Sequence, residues 1–228
     1  MLLPLAGLFA FCGQLVQVYI DTLPSPSLSG AGSGYLQSLD FIGFHASLFN
    51  SEYSLLTIGV LAFLPAAVAL FVALGRTDVG ISAVGAILAG VGVVFILIAA
   101  VDAFTQIQEA VIWDSGCTPC GTTPINLSYG SSTYGAALQL GDLLVVVSVL
   151  VFSVLMLRGN AFSKFSGVLG IVSSIYVLAN GFLLSSNLSE IDADIATAVA
   201  FLLITLWAFS LAPRLVRLGK TETSPPQV

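Results

Sequence analysis

Residues 141–180 read GDLLVVVSVLVFSVLMLRGNAFSKFSGVLGIVSSIYVLAN. An apolar run with one acid near its start, Asp142, ends at Arg158; a short turn leads to Lys164, and a second apolar run follows. Two apolar segments joined by a tight turn are antiparallel neighbours. Short loops rich in Lys and Arg stay in the cytoplasm, so this turn also sets an orientation in a membrane. Gly75-Arg76-Thr77-Asp78 repeats the arrangement earlier in the chain. A membrane-crossing helix needs roughly 20 mainly apolar residues, and six stretches qualify: about 2–20, 53–75, 79–101, 137–157, 165–185 and 195–213. Backbone groups in lipid must be paired within their own segment, so these stretches read as helices. The expected fold is all-α, a single polytopic membrane domain of six helices with both termini cytoplasmic. Two long external loops, about 21–52 and 102–136, a short one, about 186–194, and a cytoplasmic tail, 214–228, complete it.

Composition agrees. With 57% hydrophobic and 8% charged residues, the 228-residue chain has too little polar surface to cover a soluble globule. Its charge is divided by topology. Arg76, Arg158, Lys164, Arg214, Arg217 and Lys220 all fall on the cytoplasmic side, where Asp78 and Glu222 reduce the sum to +4. Asp21, Asp40, Glu52, Asp102, Glu109, Asp114, Asp142, Glu190, Asp192 and Asp194 fall on the external side without a Lys or Arg, a formal −10. Such a face repels nucleic acid and anionic headgroups and prefers cationic partners. The first segment lacks the basic leader and cleavage site of a signal peptide. The plasma membrane is the expected location, with membrane lipids as surroundings.

The hairpins at Arg76 and Arg158 look alike, each followed by a Gly-rich helix. Close helix packing and a parallel internal repeat both account for this. In the first external loop, Leu36, Leu39, Ile42 and Phe49 recur at helical spacing, which suits a short amphipathic helix on the outer leaflet. Residues 102–113 read as an extension of the third spanning helix beyond the bilayer. Tyr19, Tyr53 and Trp113 sit where an outer aromatic belt belongs, Trp207 near the inner one.

Few constellations carry chemistry. Cys117-Thr118-Pro119-Cys120 has the CxxC spacing of thiol oxidoreductases, but the surrounding Gly116, Gly121 and Pro124 signal no helix to activate a thiolate. A local disulfide shaping the loop tip is the favoured reading; redox catalysis and metal binding are alternatives. His45 is the only histidine, which argues against centres built on His clusters. It reads as an interfacial side chain, with a metal site beside Asp40 or Glu52, or a pH sensor, as the sharper options. Asp142 stands inside a spanning segment, where an acid is costly. It needs hydrogen bonds from a group such as Gln139 or a neighbouring helix, a proton, a bound cation, or a basic residue of another subunit. Gln14, Gln17 and Asn180 read as amides joining helices. Asn126-Leu127-Ser128 and Asn187-Leu188-Ser189 match the N-glycosylation pattern in loops that charge places outside. No cofactor is implied.

From Ser47-Leu48-Phe49-Asn50 onward the chain resembles a prokaryotic family of six-span membrane proteins, domain of unknown function 998. The likeness continues through the Gly75-Arg76 turn, the Arg158 to Gly170 turn, and a last helix running from Trp207 to Arg214-Leu215-Val216-Arg217. The last two helices also look similar to a second family, domain of unknown function 4386. The long Cys-containing second loop departs from the former. The resemblance implies the six-span architecture and no active site.

Three functional expectations follow. The first is a non-catalytic accessory subunit of a larger plasma-membrane complex, docking subunits with basic external surfaces through its acidic loops and small-residue helix faces. The second is a small transporter or cation channel using Asp142, with Glu109, Asp102 and Asp114 near an external vestibule. The third is a membrane thiol redox protein using Cys117 and Cys120.

Overall fold

A computed structural model of the chain describes residues 2–23, 34–114, 125–184 and 190–222. They form seven α-helices: α1 (Leu2–Asp21), α2 (Gly34–Phe44), α3 (Ala46–Gly75), α4 (Val79–Asp114), α5 (Ile125–Arg158), α6 (Lys164–Leu178) and α7 (Glu190–Glu222). A π-helical turn, Ala179–Leu184, continues α6. Among the described residues there is no strand. Five helices among the described residues carry segments long and apolar enough to cross a membrane: Leu3–Asp21, Ala46–Gly75, Val79–Ile112, Gly135–Arg158 and Ile195–Arg217. The protein is therefore an all-α bundle of the membrane-embedded kind. The sixth apolar stretch forms α6, 15 residues long, and the π turn beyond it.

Helices outrun the apolar runs that reveal them. α3 begins at Ala46 although hydropathy rises only near residue 53, and α5 begins at Ile125 rather than near 137. Polar first turns such as Ser47-Leu48-Phe49-Asn50-Ser51 stay helical, with Ser51 Oγ donating to the Ser47 carbonyl at 2.8 Å. Hydropathy marks where lipid begins, not where hydrogen bonding ends.

Six of the helices close a ring. α1 packs on α3, α3 on α4, α4 on α5, α5 on α6 and α6 on α7, and α7 returns to α1. Two short turns, 76–78 and 159–163, lie at one end with Arg76, Arg158, Lys164 and Arg214; we call it the basic end. Asp21, Asp40 and Glu52 mark the opposite, acidic end. There α2 lies across α4 and buries Leu39, while Ala103, Ile107 and Ala110 are buried on α4. The helix expected in the first loop thus exists, with Leu39 seated on protein.

At the basic end the turns are capped. Asp78 Oδ1 accepts from the Ile81 N–H at 3.0 Å, and Ser163 Oγ from the Ser166 N–H at 3.2 Å, both satisfying first-turn donors. The Lys164 ammonium donates to the Leu157 and Gly159 carbonyls at the end of α5, and Arg214 Nε donates to Ala161 O at 2.7 Å. Cations there complement the partial negative charge of a helix C-terminus.

Lipid chains are as apolar as leucine, so helices in a membrane associate through close packing and interhelical hydrogen bonds. Gly92 on α4 faces Gly141 on α5: a Cβ on either would lie 2.9 Å from the other's carbonyl oxygen. The Thr205 hydroxyl is shared between Gly7 O on α1 at 2.8 Å and Phe201 O on its own helix at 2.7 Å, and the Ser210 hydroxyl between Ser166 Oγ on α6 at 3.0 Å and Trp207 O at 2.7 Å. Leu70, Leu74, Phe152, Leu155, Met156, Trp207 and Leu211 are fully buried. They come from α3, α5 and α7, which are not neighbours in the ring, and they fill its basic half. Large apolar side chains such as Ile87, Val101, Phe165 and Val172 lie exposed around the outside, as a lipid-facing surface requires.

Candidate functional site

Toward its acidic end the described residues leave the ring unfilled. It encloses a cavity of about 500 Å³ walled by α1, α3, α4, α5 and α7. Gln17 and Ala6, eleven residues apart on α1, both line it, a depth of about 16 Å by helical rise. Gln14, Gln17, Glu52, Tyr53 and Thr197 supply polar groups nearer the acidic end, and Phe63, Val93 and Ile204 line the deeper part. A smaller cavity of about 170 Å³ lies between α5, the π turn and α7, with Gln139, Asn180 and Gly181 in its wall. Asp142 lines both cavities, as do Val145, Thr197, Phe201 and Ile204.

Asp142 owes its position to the residue before it. Gly141 lets α5 close on Gly92 of α4, and one residue further, about 100° around the helix, the carboxylate reaches the ring interior. Among the described residues no hydrogen bond or ion pair reaches it. Gln139, a candidate donor in the sequence, shares the smaller cavity without bonding it. No Lys, Arg or His among the described residues lines either cavity. A carboxylate in such surroundings is stabilised by a proton or by a cation.

Glu52 joins it from α3. Only 4% exposed, it lines the larger cavity along with Tyr53, whose ring meets Phe104 edge-on at 6.3 Å. Gln14 is 8% exposed, has no hydrogen-bond partner among the described residues, and lines the same space. The amides therefore do not bridge helices as expected. Gln17 Nε2 donates to Asp21 on its own helix, at 3.0 and 2.9 Å, and Asn180 Nδ2 to Tyr176 O at 3.1 Å.

Other candidates lie elsewhere. Asp102 and Glu109 belong to α4 but line neither cavity, and Glu109 Oε2 is buried without a hydrogen-bond partner among the described residues. Asp114 is the last residue of α4 and Asn126 the second of α5. His45 sits in the turn between α2 and α3, its ring 4.8 Å from Phe41 and 4.9 Å from Phe44. Asp40, His45 and Glu52 form no metal-binding group, nor does any other set of three His, Cys, Asp or Glu among the described residues. Cys12 is a free, half-buried thiol on α1. Cys117, Cys120 and Asn187 lie outside the described residues.

No known protein family, curated protein or solved structure matches this chain. In the sequence Glu52 reads as an external acid and a metal candidate beside His45, and its place near the polar start of α3 hides its burial in the cavity wall; the π turn, whose only signal is Ala179-Asn180-Gly181, was missed. Such turns within α-helices are rare and recur at functional sites.

Proposed function

We propose that this protein is a small cation carrier of the plasma membrane. It crosses six times, α6 with its π turn making the sixth span, and keeps both termini in the cytoplasm with the acidic end outside. The charge division supports that orientation, since the basic residues cluster at the short turns. Membership in domain of unknown function 998 is part of the same proposal, and rests on its six-span architecture.

The observation that carries the reading is Asp142 in the wall of an internal cavity without a basic side chain among the described lining residues. An accessory subunit would meet its acids with basic groups of another chain. Asp142 instead lines a cavity within the ring of helices. Below the cavity, Phe152, Trp207 and Leu70 close the axis. A cavity closed toward the basic end by packed side chains fits alternating access better than an open pore.

Thermal unfolding in detergent tests the binding step. A ligand that binds only the folded state stabilises it, by about 2.7 kcal/mol when present at 100 times its dissociation constant. At matched ionic strength, at least one of sodium, potassium, magnesium and tetraethylammonium chloride should raise the midpoint over N-methylglucamine chloride, and Asp142→Asn should abolish the rise. No cation-dependent shift, or an equal shift in Asp142→Asn, would defeat the proposal.

A further inference from the structure

The larger cavity also states what kind of cation it takes. Resting on the carrier reading above, we propose that its ligand is an organic ammonium ion with an apolar body, held by its charge at Asp142 and Glu52 and by its hydrocarbon against the deeper wall.

Size argues first. An inorganic cation with six waters occupies about 180 Å³, at roughly 30 Å³ per water, and the cavity measures about 500 Å³. The remainder is lined by side chains that offer nothing to a hydrated ion: Leu56, Val60, Phe63, Ile96, Phe201 and Ile204. A volume of this size lies within the range of small-molecule sites, which are mostly apolar with a few placed polar groups.

Donor chemistry argues second. A bare divalent cation takes about six to eight oxygens at close range, whereas no three acids or other metal-binding side chains converge among the described residues. Two carboxylates in the wall of one cavity, on α3 and α5, suit a single diffuse positive charge. Tyr53 and Phe201 add aromatic faces of the kind that attract quaternary and protonated amines.

Gln14 is the independent pointer. The residue is 8% exposed, lines the cavity and has no hydrogen-bond partner among the described residues. An amide opening onto the cavity offers a donor and an acceptor, and a ligand with an N–H or a hydroxyl would pair with it. Polar groups nearer the acidic end and apolar ones deeper match a molecule with a charged head and a hydrocarbon tail.

Benzyltrimethylammonium and its uncharged isostere neopentylbenzene separate charge from shape. Binding is read by calorimetry on the full-length protein in zwitterionic nanodiscs, with sodium and potassium as competitors. Benzyltrimethylammonium should bind saturably, at least about tenfold more tightly than neopentylbenzene, and resist a large excess of sodium or potassium. Asp142→Asn and Glu52→Gln should each weaken it, Asp142→Asn by about tenfold or more, while Asp142→Glu keeps most of the affinity. Size-exclusion profiles and helical circular dichroism establish that the variants fold; if Asp142→Asn does not, Glu52→Gln and the isostere pair decide. Equal binding of the isostere would make this an apolar or lipid pocket and overturn the inference. Asp142-dependent binding of sodium or potassium without binding of benzyltrimethylammonium would overturn it too, while leaving the carrier reading intact. No binding of benzyltrimethylammonium at all would also overturn it.

Discussion

At the scale of single residues, two positions separate packing from function. Gly170 lies where a Cβ would strike Ser153 Oγ and come within 2.5 Å of the buried Trp207 Nε1. Gly170→Ala should lower stability by roughly 1–3 kcal/mol, the usual cost of overpacking a tight interior. Thermal unfolding in detergent measures it, and Ser153→Ala in the same chain should restore part of the loss, because it removes the obstructing oxygen. A full effect unchanged by the second substitution would show that the strain lies elsewhere. Asp142 is the opposite case. Its substitution by Asn leaves packing intact and should spare the melting midpoint in the absence of ligand. The acid was legible as an anomaly in the sequence because a charge in an apolar run is rare. That it shares a cavity with Glu52 was not, because the two are 90 residues apart in the chain and only the ring closure brings them to one space.

At the scale of elements, α7 closing on α1 matters most. Thr205 Oγ to Gly7 O is an interhelical hydrogen bond linking the two ends of the chain. Thr205→Val keeps the shape and removes the donor, which should cost about 0.6 kcal/mol, the mean found for such bonds in membranes. The effect should appear as a lower unfolding midpoint. The π turn makes a separate prediction. It holds one residue more than an α-helical path would need, so deleting Gly181 should return the segment to an α-helix. The deletion variant should remain monodisperse and helical while ligand binding changes, since Asn180 and Gly181 wall the cavity shared with Asp142. Unaltered binding would remove the π turn from the site. Helix positions were readable from hydropathy because each apolar run must satisfy its own backbone in lipid. Helix ends were less so: the residues outside lipid around Ala46 and Ile125 are polar enough to pass for loop.

For the whole molecule, charge and packing tell one story. The basic end is tightly turned, capped and filled, and the cavity lies toward the acidic end. Orientation is directly testable in a background with Cys12, Cys117 and Cys120 replaced by Ser. Thr77→Cys and Asn160→Cys should react with a membrane-impermeant maleimide only in inverted or opened vesicles, and Ser47→Cys in intact cells. The reverse pattern would invert the topology. The central claim, that the ring carries a cation past Asp142, is most directly tested by uptake of radiolabelled tetraethylammonium into proteoliposomes under an inside-negative potential. The account predicts uptake above protein-free vesicles that saturates with concentration, is lost in Asp142→Asn and persists in Asp142→Glu. Uptake no greater than in protein-free vesicles, or equal uptake by Asp142→Asn, would contradict it.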